Sequence, residues 1–255
     1  MSNLNKLING LVDSPMKKQK QKQKQKNKNQ KNRTNTFVNQ QLKVPASGGV
    51  VTNRRRIPVI ETIGESIIVS NCENAADITT NLLGTFGTTR RSFVPGTAFW
   101  INNVAANFSK YQWVNLEFIY IPSCPTTTPG TVVLSVGYDA GDAAPGSLSA
   151  AQRGFHSVTS PYWAGYDGSH NLGTVKSTQS GVRISVDTSR FDKPYYPYTT
   201  LTGFNGFSNT DRNIYSPGYL DISFLGGPAA ATLVGSVFMK YTIKLIEPIN
   251  PVDNT

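Results

Sequence analysis

Two aspartates, Asp139 and Asp142, have the residue type and the spacing that most clearly suggest chemistry in this sequence. They flank Ala140 and Gly141 directly after an alternating apolar segment, so both carboxylates belong to one glycine-containing turn. Such a pair can approach one hard cation, but calcium takes about six to eight oxygen ligands. The spacing is not that of an EF-hand loop. The pair therefore indicates at most part of a calcium site, completed by water, carbonyl groups or a second chain, and a solvated acidic turn is the alternative.

Catalytic patterns are weak in the rest of the sequence. His156 and His170 lie in a loop-rich stretch with Asp167, but no serine there is surrounded by a Gly-x-Ser-x-Gly elbow. The serines nearest to them are Ser157, Ser160 and Ser169. Cys72 and Cys124 lack the Cys-x-x-Cys spacing and are predicted to be buried or free thiols. We therefore expect a protein that is not an enzyme.

The positive charge of the chain is concentrated at its N-terminal end. Residues 1–56 hold 14 basic residues and one acidic residue and are net +13, whereas residues 57–255 are net −3. Nine of the 17 residues from 17 to 33 are basic and none is acidic. The candidate nucleic-acid-binding residues are Lys17, Lys18, Lys20, Lys22, Lys24, Lys26, Lys28, Lys31 and Arg33, with Arg54, Arg55 and Arg56 at the boundary.

This basic arm, residues 1–56, is predicted to be disordered on its own, because its charges repel and it has little apolar surface to bury. Its one aromatic residue is Phe37, so base stacking cannot be its main mode of binding. Neutralisation of nucleic-acid phosphates remains, and this mode depends on salt rather than on base sequence. The alternatives are a nuclear-localisation signal, a solubilising tail, or contact with an acidic protein or a membrane surface.

Two further features lie in the arm. Five apolar residues fall on one face of a short helical pattern, which either docks on a partner or a membrane surface or frays: Leu4, Leu7, Ile8, Leu11 and Val12. Residues 44–49 are predicted to be a hinge, and residues 39–53 are predicted to be a conformational switch.

No run approaches the roughly 18 apolar residues of a transmembrane helix, and the N-terminus lacks a signal-peptide pattern. No membrane requirement is evident.

Residues 57–255 are predicted to form strands. Alternation of apolar and polar residues marks 114–120, 132–138, 182–186, 220–224 and 237–245, with weaker candidates at 63–69, 78–85 and 155–158. Short helices are predicted at 99–107 and at 147–152, the latter capped by Ser147 or Ser149. About eight strands with uneven loops favour an all-β fold, an eight-stranded antiparallel jelly-roll β-sandwich. The predicted domains are thus the arm and linker, 1–56, and a jelly-roll body, 57–255.

The stretch 110–142 resembles a known family. Lys110-Tyr111-Gln112-Trp113 is followed by the segment 116–125 and then by Gly137-Tyr138-Asp139-Ala140-Gly141-Asp142. This order is similar to that in the coat proteins of sobemoviruses, small icosahedral plant RNA viruses, and of their necrovirus and tombusvirus relatives, most clearly over 97–153. The resemblance implies a T=3 shell of about 180 identical subunits in three quasi-equivalent settings, with the arms inside on single-stranded RNA.

The same resemblance implies a calcium ion (Ca²⁺) at subunit interfaces, with Asp139 and Asp142 as ligands and Asn254 as the nearest match to a C-terminal ligand. The paired terminal asparagines of the family are absent. Only nine residues follow Ile246, so no projecting domain is expected. The expected function is a capsid protein that is located in the virion and assembles in the host cytoplasm. The alternative is a lectin-like β-sandwich with a basic tail, in which three loop aromatics would stack on a sugar: Tyr162, Trp163 and Tyr166.

Overall fold

The computed structural model describes residues 58–164 and 182–250, and within these ranges the chain forms ten β-strands in two antiparallel sheets. The strands are β1 (Val59–Ile63), β2 (Ser66–Thr79), β3 (Gly87–Ser92), β4 (Phe108–Pro122), β5 (Thr131–Gly137), β6 (His156–Pro161), β7 (Arg183–Val186), β8 (Tyr196–Pro197), β9 (Tyr219–Leu225) and β10 (Leu233–Pro248). One sheet has the order β1-β2-β10-β4-β7, with β8 also paired to β4, and the other has the order β3-β9-β5-β6.

This topology is the predicted jelly roll. Along the chain the connections pass repeatedly from one sheet to the other, so that β2, β4, β7 and β10 face β3, β5, β6 and β9. These eight strands form the sandwich, and β1 and β8 are additions to one of its sheets. The inward-facing side chains of the two sheets form one apolar core, which includes Phe118, Leu134 and Ile222.

Strand β10 shows how well alternation predicts this core. Val237, Met239, Tyr241, Ile243 and Leu245 are all buried, and the residues between them are half-buried. In β4 the simple alternation is wrong at one place. Thr242 pairs with Asn115 but Ile243 pairs with Trp113, so Val114 is an extra residue at a bulge and is 48% exposed.

The predicted strands nearest to the arm need correction. The 63–69 candidate is a tight hairpin between β1 and β2, with a turn at Gly64. The 78–85 candidate is wrong, because β2 ends at Thr79 and the chain then turns through a 3₁₀ helix, Leu82–Gly84. Leu83 and Gly84 have φ angles of 60° and 63°, which no strand accommodates. The chain re-enters a sheet only at β3, a polar strand that alternation of apolar residues misses.

Between the strands of the described ranges lie four short α-helices. They are α1 (Phe99–Ala105), α2 (Leu148–Gln152), α3 (Leu201–Gly206) and α4 (Asn209–Tyr215). The first two are confirmed predictions, and Ser147 caps α2 by accepting a hydrogen bond from the Ala150 amide at 3.2 Å. The capping residues of the two that were missed are Thr200 and Ser208. Among the described residues no helix is long and apolar enough to cross a membrane.

Candidate metal-binding turn

The two candidate aspartates lie in one tight turn at the end of β5. The Asp142 amide donates to the Asp139 carbonyl at 3.2 Å, and the Gly141 amide donates to Asp139 Oδ1 at 2.9 Å. Both aspartates are exposed, whereas Ala140 between them is only 3% exposed and packs into a small cluster with Val94. The structure therefore places both carboxylates at the surface of an anchored turn.

Helix α4 holds the first half of this turn. Asn213 Nδ2 donates to Asp139 Oδ1 at 2.7 Å, and Asn213 Oδ1 accepts from the Ala140 amide at 2.6 Å. A Cβ added to Gly141 would lie 2.6 Å from the Asn209 carbonyl oxygen, so only glycine permits this close approach. The turn therefore packs closely against the helix. The Asn213 side-chain amide both donates to the turn and accepts from it, and Gly141 has no side chain that would hold the two apart.

Arginine 90, on β3, holds the second half of the turn. Its Nε and one Nη donate to the two carboxylate oxygens of Asp221 at 2.7 and 2.8 Å, and its guanidinium lies 3.5 Å from the centre of the Tyr219 ring. The other Nη donates to the backbone carbonyl of Asp142. Burial disfavours the charged form, but the contacts with Asp221 raise the pKa of Arg90 above its ordinary value. The positive charge of Arg90 is therefore matched by Asp221, which is 2% exposed.

The protonation of Asp139 follows from these contacts. The hydrogen bonds from Asn213 and then from Gly141 lower the pKa of Asp139 below its ordinary value. The carboxylate of Asp139 is thus held in its ionised form, which is the form that binds a cation.

The donor set fits part of a site for a hard cation. No described residue donates a hydrogen bond to Asp139 Oδ2 or to the Asp142 carboxylate, so these oxygens are available. Carboxylate oxygens are ligands that calcium prefers, but two aspartates provide fewer than the roughly six to eight that it takes. In residues 58–164 and 182–250, no group of three or more His, Cys, Asp or Glu residues could hold a metal ion. The described part of one chain therefore offers an incomplete site.

Several sequence-derived candidates lie outside the described residues. They include Asn254 and all the basic residues of the arm, from Lys17 to Arg33 and from Arg54 to Arg56. His170 and Tyr166 also lie outside. Nothing in the structure bears on these predictions.

The other candidates are placed, and they do not form a site. The hydroxyl of Ser157 donates to the Gln152 carbonyl at 3.0 Å, and the hydroxyl of Ser160 donates to the Ala164 carbonyl at 2.6 Å. Tyr162, part of the lectin-like alternative, is fully buried and donates to the Gly226 carbonyl at 3.1 Å. Its ring is therefore closed to a sugar, so Tyr162 does not contribute to the stacking platform of that alternative.

Neither Cys72 nor Cys124 forms a disulfide, and both are half-buried. Burial raises the pKa of the Cys124 thiol, which disfavours the reactive thiolate.

Sequence analysis missed Asn213 and Arg90, the residues that hold the turn. Asn213 lies 74 positions from Asp139 along the chain. Arg90 lies 52 positions before Asp142. No alternation marked β3 or Arg90, because that strand is half-buried throughout and mostly polar, and for Asn213 only the serine cap of α4 marked a helix.

Comparison with known proteins agrees with this fold. The family described as viral coat protein (S domain) matches residues 40–251. The capsid protein of Tobacco necrosis virus (strain A) is 39% identical over 210 residues, which cover 82% of this chain and 76% of that protein. The capsid protein of Tobacco necrosis virus (strain D) is 38% identical over 213 residues, which cover 84% and 80%.

Solved structures give the same result. A structure of Tobacco necrosis virus superposes with a TM-score of 0.76 at 38% identity and covers 83% of this chain and 95% of that one. A structure of Cocksfoot mottle virus has a TM-score of 0.66 at 19% identity, covers 73% of this chain and 97% of that one, and supports the fold alone.

The chain therefore belongs to the viral coat protein (S domain) family. It is a capsid protein, a structural component of the virion that associates with copies of itself, and not an enzyme. The expected resemblance to virus coat proteins is confirmed at the level of this family, with strong similarity to the Tobacco necrosis virus proteins.

Proposed function

We propose that this capsid protein builds an icosahedral T=3 shell of about 180 copies and packages single-stranded RNA, assembling in the host cytoplasm. Within the coat proteins, we propose that it belongs to the group of the sobemoviruses and their necrovirus and tombusvirus relatives. Similarity to the Tobacco necrosis virus capsid proteins supports the shell, and the separation of charge supports the RNA. Residues 1–56 are net +13, whereas the rest of the chain is net −3.

The magnitude of the charge suits this role. About 180 arms, each with a net charge of +13, would match about 2,300 phosphates. This is of the order of a genome of a few thousand nucleotides, and counterions would balance the rest. Because Phe37 is the one aromatic residue of the arm, binding by charge is favoured over stacking on bases.

An experiment on the arm tests the packaging role. The eight lysines from 17 to 31 are replaced by glutamine, and RNA binding is measured at several salt concentrations. The substitution should flatten the dependence of log K on log salt, because fewer counterions are released. RNAs of equal length and different sequence should compete nearly equally. A strong sequence preference of the arm that persists at high salt would contradict the proposal, and native sizing with RNA quantification provides the control for assembly.

We infer further that Asp139 and Asp142 form one half of a calcium site at a subunit interface. Both are exposed on an anchored turn, and the available carboxylate oxygens of the described residues are too few to complete the site. The remaining ligands would come from a second copy and from the C-terminal end, where Asn254 is the candidate. A calcium ion bound there would coordinate oxygens of two chains, and its positive charge would offset the repulsion between their carboxylates.

Removal of calcium tests this site. Chelation near neutral pH should leave facing carboxylates unneutralised, so that wild-type particles swell and sediment more slowly. Particles with Asp139→Asn and Asp142→Asn should bind calcium more weakly and should not respond to chelator, while the subunit fold is nearly unchanged. Sedimentation of both particles with and without chelator is the measurement. If both particles responded to chelator in the same way, residues other than Asp139 and Asp142 would bind the calcium that holds the interface.

A further inference from the structure

The contacts of Asp139 divide its two carboxylate oxygens into different roles. Oδ1 accepts two hydrogen bonds, from the Gly141 amide at 2.9 Å and from Asn213 Nδ2 at 2.7 Å. Oδ2 accepts none from the described residues. The Gly141 contact is made within the turn itself, and the Asn213 contact is the one that reaches Asp139 from another element.

Asn213 also fixes the backbone that carries this carboxylate. Its Oδ1 accepts from the Ala140 amide at 2.6 Å, so one side-chain amide binds both the side chain of Asp139 and the peptide that follows it. A free aspartate rotates between several orientations, and ordering it costs free energy when a cation binds. A carboxylate that is already hydrogen-bonded on one oxygen avoids part of this cost.

Arg90 makes the complementary contact at the other end of the turn without competing for the carboxylates. Its guanidinium donates to the Asp142 backbone carbonyl, and its charge is matched by the bidentate contact with Asp221. The nearby positive charge therefore supports the turn through the backbone. The carboxylates of Asp139 and Asp142 keep their negative charge available.

We propose that Asn213 is the positioning residue of this cation site, holding Asp139 through Oδ1 so that its other oxygen is presented for binding. This inference rests on the calcium site proposed above. Helix α4 then acts as the support of that site, since it contributes Asn213. The hydrogen bond requires the amide group at this distance, so a shorter side chain cannot replace it.

The test compares full-length particles carrying Asn213→Ala or Asn213→Ser with a matched control, Asn209→Ala. The control removes an asparagine side chain from the same helix, and that side chain contacts Arg212 rather than the turn. Calcium binding is measured by equilibrium dialysis of assembled particles. Both Asn213 variants should raise the calcium Kd about 10-fold or more, the usual effect of losing a partner of a metal ligand. The Asn209 control should keep the wild-type Kd.

A second readout separates positioning from a purely structural role. Thermal unfolding in excess chelator should give similar midpoints for the Asn213 variants and the Asn209 control, because the contact with Asp139 is exposed and the contact with the Ala140 amide is only partly buried. A calcium Kd equal to that of wild type in either Asn213 variant would overturn the inference. Failure of both variants to assemble at saturating calcium would also overturn it, since Asn213 would then serve the fold itself.

The design also separates this inference from the site on which it rests. Particles carrying Asp139→Asn and Asp142→Asn are titrated in parallel. If they bind calcium as wild type does, the proposed calcium site is wrong. If they lose calcium while the Asn213 variants retain it, the site stands and only the role of Asn213 is wrong.

Discussion

A buried carboxylate, Glu73 on β2, should contribute strongly to the stability of the subunit. It is 7% exposed, and its two oxygens accept from the amides of Trp100 and Ile101 at 2.7 and 3.2 Å. It also accepts from the Tyr241 hydroxyl at 2.5 Å. Helix α1 begins after Ala98, which provides no side-chain cap. Glu73 therefore caps this helix from a strand, where its charge also meets the positive end of the helix dipole.

Truncation of this side chain should be costly. In Glu73→Ala, two helix amides and one hydroxyl lose their acceptor in a buried place, and each unsatisfied group costs about 1–3 kcal/mol. Partial access of water to the vacated space reduces the total, so we expect a loss of about 3–5 kcal/mol in the free energy of unfolding. Glu73→Gln keeps one acceptor oxygen but presents an NH₂ group to a donor, and it should lose about 1–2 kcal/mol.

The assay is equilibrium urea unfolding of full-length subunits, dissociated from particles by chelator and high salt. Glu61→Ala is the matched control, because Glu61 lies on β1 and is exposed. The control should change the free energy of unfolding by less than about 0.5 kcal/mol. If Glu73→Ala cost no more than Glu61→Ala, the hydrogen bonds to α1 would not be the source of stability, and this reasoning would fail.

Three further outcomes are expected. Gly141→Ala should weaken the response of particles to chelator in sedimentation, because the new Cβ would lie 2.6 Å from the Asn209 carbonyl oxygen and would displace the turn. Arg90→Met should cost about 3–5 kcal/mol in urea unfolding, because it leaves the carboxylate of Asp221, at 3% side-chain exposure, without its partner; a loss below about 1 kcal/mol would contradict this. Deletion of residues 1–53 should leave a folded body by circular dichroism but give smaller or irregular particles in micrographs. If the truncated protein formed only full-size particles, the conformational switch would not lie in residues 39–53.

The strands that the sequence predicts well are those with one buried face. In β10 the inward residues recur at every second position, since a pleated strand turns alternate side chains to the core. The same rule fails at Val114, because a bulge adds one residue and shifts the alternation. It also fails for β3, whose residues are all half-buried and mostly polar. Periodicity reports burial, so it cannot detect strands whose pairing depends on polar contacts.

The candidate site was predicted in part for a related reason. Asp139 and Asp142 are neighbours in sequence, so their spacing alone places them in one turn. Their supports are distant in sequence and are brought together only by tertiary structure. The pairing of β9 with β3 and β5 aligns Tyr219 with both Ser92 and Gly137. This register brings Arg90 beside the turn, and no local pattern specifies it.

Arg90 and Asn213 both hold the turn, but their loss should affect different properties, the stability of the fold for Arg90 and the binding of a cation for Asn213. Arg90 matches a buried carboxylate, so its loss acts first on the fold and only then on the turn. Asn213 contacts an exposed carboxylate, so its loss leaves the core intact and acts on the orientation of Asp139. An interface that is assembled and later released needs a contact that can change without unfolding the subunit. The calcium site proposed here would meet this requirement, because a cation bound to exposed carboxylates on an anchored turn would add to the cohesion of the shell and not to the stability of the fold.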